Sequence, residues 1–415
     1  MSPTAVPTVP SAVPHGLAAA IGIVQFFFVT TWTVYVIYLP ALAEQAGIAR
    51  QWVPWILVAD QVLFAVMDVV TGYWVDRVRS GLARIGGWML ALTGLSCAAF
   101  VLLPFTSFAG PGLMLALIAL WAATSSALRA PPWALLSRYA AKPDMPWLSA
   151  LVLTGTAIAS AAAPYLGIAL KGVDPRVPFA LSTATLLAAV GALVLVERSV
   201  AGAQPAPSGE SEAPFDREAP GAGRLMGMFF ASLLVMALGF QVHFALNSAP
   251  QYLRYAAPAE LPWLMPVFWI GFNLLMFPAT QLVKRVGAIP LMAAAAAAGA
   301  VASLATVLAP GLHALLVAQF AAGGCWGAIC VGAYAAAVSF GRRGREGALL
   351  GTLFAVFAVA TLARIGAGAT GLAASPDFKL LAPWIPLICW ALAAALAVFA
   401  AAAGARSIIR SSGGN

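Results

Sequence analysis

Three carboxylates in the stretch DQVLFAVMDVVTGYWVDRVRSGLAR (60–84) could do chemistry. Asp60 and Asp68 interrupt an apolar run, and Asp76 stands where that run ends, beside Arg77 and Arg79. Two cations interrupt other apolar runs: Arg129 in SSALRAPPWALL and Arg364 in ATLARIGAG. Charge inside a long apolar segment is expensive and is kept for pairing or for function. A carboxylate held out of water can carry a proton, or can ligate sodium together with neutral oxygens. The competing reading is a static ion pair that only fixes packing. Asp60 and Asp68 lie on roughly one helix face with Phe64 between them.

The elements that position these groups follow from composition. The chain has 415 residues, 62% of them hydrophobic and only 9% charged, with a mean hydropathy of +0.92. So few charges cannot cover a water-facing surface, where roughly 25% is usual, so the chain is a polytopic membrane protein. Twelve segments are long and apolar enough to span: near 17–42, 53–75, 85–104, 110–136, 146–170, 178–197, 225–248, 261–283, 288–309, 311–339, 347–372 and 381–404. Only helices satisfy their backbone in lipid at this length, so the fold class is all-α with twelve transmembrane helices. The Pro-, Gly- and Ser-rich stretch 198–224 reads as a linker. It divides the chain into a six-helix bundle over 1–197 and a second over 225–415.

The net charge of +8 is a matter of topology. With both termini in the cytoplasm, the inside segments hold fifteen of the 22 Lys and Arg residues and the outside loops hold five. That bias places the termini inside. Residues 1–15 contain neither Lys nor Arg, so the first apolar run is expected to be a retained span. High Ala content and short loops suggest a bacterial inner membrane. The halves also echo one another. Pro54-Trp55 and Pro262-Trp263 each open the second span of their half, and Arg77 and Arg285 close those spans at the same distance. Two parallel repeats are a common transporter plan. Depth along the spans pairs Asp68 with Arg129 in the inner half and Asp60 with Arg364 in the outer half.

Twelve spans, a central linker and a charged loop after span two resemble the major facilitator superfamily, whose G-x-x-x-D-R loop motif is matched by Gly72-Tyr-Trp-Val-Asp76-Arg77. The longer run Asp68-x-x-x-Gly72-x-x-x-Asp76-Arg77-x-Arg79-Ser80 resembles the glycoside–pentoside–hexuronide:cation symporter branch, typified by melibiose permease. Val69 stands where that branch has Pro, and Phe64 where its sodium-coupled members carry a second acid. The resemblance implies a secondary transporter with spans two and eleven facing each other between the halves. It makes Asp68 the coupling residue and Gly72, Asp76, Arg77 and Arg79 a gating loop. Physically, Gly72 allows close helix approach, and Asp76 suits either a helix N-terminus or a nearby arginine.

The resemblance also puts spans one, four, seven and ten around a central cavity. Their polar and aromatic groups are then the candidate lining: Gln25, Thr31, Trp32 and Tyr35; Ser125; Gln241, His243 and Asn247; Trp326 and Tyr334. Such groups suit a sugar or another neutral polar solute, and equally an amphipathic compound. His243 could shuttle protons or merely bond to a neighbouring helix. Gly323-Gly324 offers a bend in span ten. No catalytic constellation, phosphate-binding loop or metal-ligand spacing is present, so no enzyme activity, cofactor or metal is expected. The expected partners are the lipid bilayer, a small solute and a coupling H+ or Na+; nucleic acid is not expected, and the chain is expected to be a monomer. Cation-coupled uptake is the leading expectation. Proton-coupled efflux and a non-transporting assembly or sensing role are the alternatives.

Overall fold

The computed structural model describes residues 12–78, 82–200, 222–341 and 344–412, so Arg79 and most of the expected linker lie outside the described residues. Every regular element among the described residues is helical, as lipid requires of a chain that must satisfy its own backbone. Before the linker come α1 (Ala12–Gln45), α2 (Val53–Arg77), α3 (Leu82–Thr106), α4 (Pro111–Ser125), α5 (Ala130–Tyr139), α6 (Met145–Ala169) and α7 (Arg176–Val200). After it come α8 (Ala222–Phe240), a π-helical segment (Gln241–Asn247), α9 (Ser248–Tyr252), α10 (Leu261–Leu264), α11 (Pro266–Val286), α12 (Ala288–Leu308), α13 (Leu312–Gly341), α14 (Glu346–Ala369), α15 (Pro376–Leu381) and α16 (Ile385–Ser412). Among the described residues, eleven segments are long and apolar enough to cross a membrane. The last helix, α16, is apolar over Ile385–Ala401 and supplies a twelfth.

Three spans are not straight helices. The fourth is α4 plus α5, joined by a 3-10 turn at Ser126–Leu128, and Arg129 sits at the break with φ −101° and ψ −84°. Pro131 and Pro132 follow immediately and have no N–H to continue the ladder. The seventh is α8, the π-helical segment and α9. The eighth is α10 plus α11, with Pro262 and Pro266 each in a first turn. The tenth span, by contrast, runs unbroken through Gly323-Gly324: α13 is one helix of 30 residues. There the glycines serve packing, because a Cβ on Gly323 would land on the carbonyl of Phe268 in α11.

The apolar core runs through both halves, with Trp133, Phe272, Tyr334, Leu353 and Trp390 buried in it. A second cluster of Tyr35, Phe64, Phe100, Trp121 and Phe179 fills one end of the first half. Large apolar side chains such as Val66, Leu195 and Val301 stay exposed, facing what in the membrane is lipid. Small residues set the closest helix approaches. Span one meets span five at Gly22 and Gly155, and span two meets span eleven at Gly72, Gly347 and Gly351. The second contact joins the halves.

A methyl group on Gly155 would strike the backbone of Gly22, whereas Gly167 on the same helix has nothing within 4 Å of an added Cβ. Gly155→Ala is therefore expected to destabilise the protein by about 1–3 kcal/mol, the usual cost of overpacking. Thermal melting of the detergent-purified protein reads this as a lowered midpoint for Gly155→Ala and an unchanged one for Gly167→Ala.

Candidate functional site

The break in span four delivers Arg129 to Asp68. Arg129 Nη1 lies 3.1 Å from Asp68 Oδ2, with Asp68 fully buried. The contact is an ion pair by distance, but neither Asp68 oxygen has a well-aligned hydrogen bond. Ser126 is turned toward Asp68, and its hydroxyl also falls outside hydrogen-bond geometry. The Arg129 guanidinium sits over two rings, 5.2 Å from the centroid of Phe64 and 5.0 Å from that of Phe354. Its Nη2 donates a long bond of 3.4 Å to the Phe354 carbonyl. Phe354 belongs to α14, so this pair in the first half is roofed by the second. Cation–π contacts of this kind gain strength when desolvated.

The expected Asp60–Arg364 pair is not formed. Asp60 accepts a 2.7 Å hydrogen bond from the Tyr35 hydroxyl, inside the first half. Trp32 and Trp121 pack against Tyr35 there, at centroid distances of 5.4 and 4.6 Å. Arg364 turns toward span seven, where its Nε donates to Gln241 Oε1 at 2.8 Å. Gln241 Nε2 in turn donates to Thr361 Oγ1 at 2.9 Å. Matching depth along two spans does not set the rotation of each helix, and rotation points these two charges apart.

At the end of α2 the side chain of Asp76 caps another helix. Its Oδ1 accepts from the Gly347 N–H at 2.9 Å and its Oδ2 from the Ala348 N–H at 2.8 Å, at the N-terminus of α14. The first N–H groups of a helix have no internal partner, and the helix dipole favours negative charge there. A side chain on Gly72 would collide with the Gly347 carbonyl, so Gly72 and Gly347 let the carboxylate reach its donors. Arg77 is exposed. Other contacts close the same, arginine-rich end between the halves. Trp133 stacks on Tyr334 at 3.9 Å, Trp147 meets Phe277 at 5.2 Å, and Lys284 lies 3.9 Å from Asp144. Toward the opposite end, Tyr165 meets Trp263 at 5.0 Å.

Above the Trp133–Tyr334 stack lies a cavity of about 290 Å³ between the halves. Gln25, Trp32, Gln241, Trp326 and Tyr334 line it together with Arg129. Thr31, Tyr35, Ser125, His243 and Asn247 do not; each makes a hydrogen bond to another protein group, although His243 Nδ1 is left without one. Thr31 and Ser125 donate to carbonyls of their own helices, at Phe27 and Ala122. His243 pairs with Gln319 at 3.0 Å, and Gln319 continues through Gln251 to Thr306, a polar chain inside the second half. Asn247 donates to the Ala382 carbonyl at 2.7 Å. The lining also takes in residues that the sequence reading passed over: Gln61, Trp133, Thr156, Trp269, Phe354 and Thr361. Gln61 beside Asp60 and Thr361 one turn before Arg364 carried a usable signal. Trp133 and Trp269 look in sequence like any membrane tryptophan. The lining, among the described residues, contains no Asp or Glu. Among the described residues no group of His, Cys, Asp or Glu could hold a metal ion.

The sequence matches the family model described as Major Facilitator Superfamily over residues 21–363. No curated protein matches it significantly. Among solved structures it is similar to a bacterial homologue of the iron transporter ferroportin in an outward-facing state, with a TM-score of 0.71 and 14% identity over 93% of this chain and 99% of that one. It is also similar to the E. coli fucose:proton symporter, with a TM-score of 0.64 and 16% identity over 94% and 98%. A human organic anion transporter gives a TM-score of 0.65 and 13% identity over 94% and 99%. At these identities the likeness carries the fold.

Reversing one charge of the Asp68–Arg129 pair leaves two like charges in a dry site, where breaking a buried pair costs about 3–5 kcal/mol. Asp68→Arg and Arg129→Asp are each expected to lower the melting temperature strongly, and the double swap to recover part of the loss. A double variant no more stable than the worse single would show that the pair does not hold the structure.

Proposed function

The chain belongs to the Major Facilitator Superfamily, a family of transporters rather than enzymes, and on that premise we propose that this multi-pass membrane protein is a secondary active transporter. It moves a small solute by alternating access, coupled to symport of H+ or Na+. One observation carries the coupling: a buried carboxylate, Asp68, has both oxygens without a hydrogen bond and lies beside an arginine of the cavity wall. An ion taken up by Asp68 cancels the charge that holds Arg129, and Arg129 in turn touches the second half through Phe354. Ion occupancy is thereby linked to the contact between halves. The position of Asp68 in the D-x-x-x-G-x-x-x-D-R run supports a cation symporter of the melibiose permease type.

The arginine-rich end is the cytoplasmic one on this reading, with both termini inside a bacterial inner membrane and 1–197 and 225–415 as the rocking bundles of a monomer. Gly72, Asp76 and Arg77 form the inner gate, and Asp76 is its latch. A side-chain cap is worth roughly 0.5–2 kcal/mol, small enough to be broken in each cycle. A second reading, proton-coupled efflux of amphipathic compounds, draws support from the aromatic lining of the cavity. Direction of flux against an imposed gradient separates the two.

A thermal-shift panel of sugars, glycosides, carboxylates and amphipathic drugs, with and without sodium and at two pH values, identifies a solute and its coupling ion, since a ligand of the folded state stabilises it. With that solute, Asp68→Asn in proteoliposomes is expected to abolish gradient-driven accumulation while keeping solute exchange at equal concentrations. Accumulation at the wild-type level would remove Asp68 from the coupling step, and a protein that neither accumulates nor exchanges any solute would point to the non-transporting role.

Asp76→Ala removes the cap from α14 and is expected to favour the inward-open state. The readout is Cys330, buried in the cavity wall, as the sole remaining cysteine in inside-out vesicles. Maleimide should label it several-fold faster in Asp76→Ala than in its parent, and equal rates would refute the latch.

A further inference from the structure

We propose that the cavity binds an organic monoanion, a carboxylate on a flat apolar body, with Arg364 as the anchor for the carboxylate. This inference rests on the reading that the cavity carries the solute and adds the charge and shape of that solute.

Charge comes first. Arg129 is the one charged residue in the cavity lining, and Asp68 beside it matches its charge. Arg364 has no such match. Its Nε donates to Gln241, and among the described residues neither Nη nitrogen has a hydrogen bond or an acid. Asp60, the acid of comparable depth, is engaged by Tyr35 in the first half. A guanidinium within a span without an acid partner has to face water or a ligand. Arg364 is held beside the cavity by Gln241, which lines it, so one net positive charge borders a cavity that has no acid in its wall.

The geometry around Arg364 orients it for recognition. The Thr361 hydroxyl donates to the Phe357 carbonyl at 2.9 Å and accepts from Gln241 Nε2 at 2.9 Å. That fixes the Gln241 amide with its oxygen toward Arg364 Nε. Gln241 and Thr361 both line the cavity and come from different spans. The guanidinium is thus held through its inner nitrogen, and its two outer nitrogens form the fork that takes a carboxylate through two parallel bonds. A single uncompensated cation suits a monoanion. A phosphate or another dianion would need a second free cation, and Arg129 is already paired.

The rest of the wall sets the body of the ligand. Trp326 stacks on Phe240 at 4.5 Å with the rings 5° apart, and Phe357 meets Trp326 edge-on at 5.9 Å. Trp32 and Trp269 line the cavity as well. Indole and phenyl surfaces receive a flat ring by offset stacking or edge contact. About 290 Å³ lies just under the roughly 300–1,000 Å³ usual for drug-sized ligands, so the fit is an acid of one or two rings. A cation finds no carboxylate among the described residues of this wall.

The test is isothermal titration of the full-length detergent-purified protein with three probes of one shape: indole-3-acetate, its neutral amide indole-3-acetamide, and the cation tryptamine. The expected result is an acid bound at least tenfold tighter than the amide, with tryptamine weakest. Arg364→Gln should bring the acid down to about the affinity of the amide. Arg364→Lys keeps the charge without the fork and should retain part of the preference. Melting curves without ligand separate lost recognition from lost folding. If Arg364→Gln does not fold, the acid-to-amide ratios of the wild type and Arg364→Lys carry the test. Equal binding of acid and amide, tightest binding of tryptamine, or an unchanged acid affinity in folded Arg364→Gln each overturns the anion inference and leaves the cavity as a solute site, so the transporter reading survives. Binding of none of the three also overturns the inference, and only the further absence of solute exchange in proteoliposomes counts against transport.

Discussion

Charge in hydrocarbon arranges this molecule. An ionised side chain at mid-helix costs roughly 2.5–3.5 kcal/mol on insertion scales, and the chain carries Asp60, Asp68, Arg129 and Arg364 deep within its spans. Each is accommodated differently. Asp68 and Arg129 pair, and the pairing depends on a broken helix, since Arg129 sits where the 3-10 turn ends and α5 begins. Asp60 takes a neutral partner, the Tyr35 hydroxyl, inside a wall of aromatic rings. Arg364 donates through Nε to Gln241, and among the described residues its outer nitrogens have no hydrogen bond.

The same constraint explains how the halves touch. At the arginine-rich end they are held by short-range contacts at a few points: the Asp76 cap on α14, the glycine approach of span two to span eleven, and the Trp133–Tyr334 stack. A helix N-terminus offers donors with no internal partner, so a carboxylate from the other half can satisfy them in one arrangement and leave them to water in another. Glycine at the contact brings backbone against backbone with no side chains to disentangle.

Much of the fold was legible in the residues themselves. Spans were readable because lipid demands about 20 apolar residues for each crossing. Asp76 was readable as a helix-capping or pairing acid from its place at the end of a span beside a close-packing glycine. Less of the cavity was legible. Gln25, Trp32, Gln241, Trp326 and Tyr334 stand in its wall, while Thr31, Tyr35, Ser125, His243 and Asn247, of the same residue types in the same spans, do not. Polarity within a span says that a group needs a partner. It does not say whether that partner is the group's own backbone, a neighbouring helix or a solute.

Sequence alone determined the all-helical class, its apolar spans and the positions of the charges within them, because each follows from local composition and from the cost of exposing polar atoms to lipid. The tertiary structure decided which charges meet. Asp68 and Arg129 pair while Asp60 and Arg364 do not, although depth along the helices favoured both pairs equally. Depth is fixed by counting residues from the membrane surface. Partner choice depends on the rotation of each helix and on where a helix breaks, and these are set by packing among all twelve spans at once.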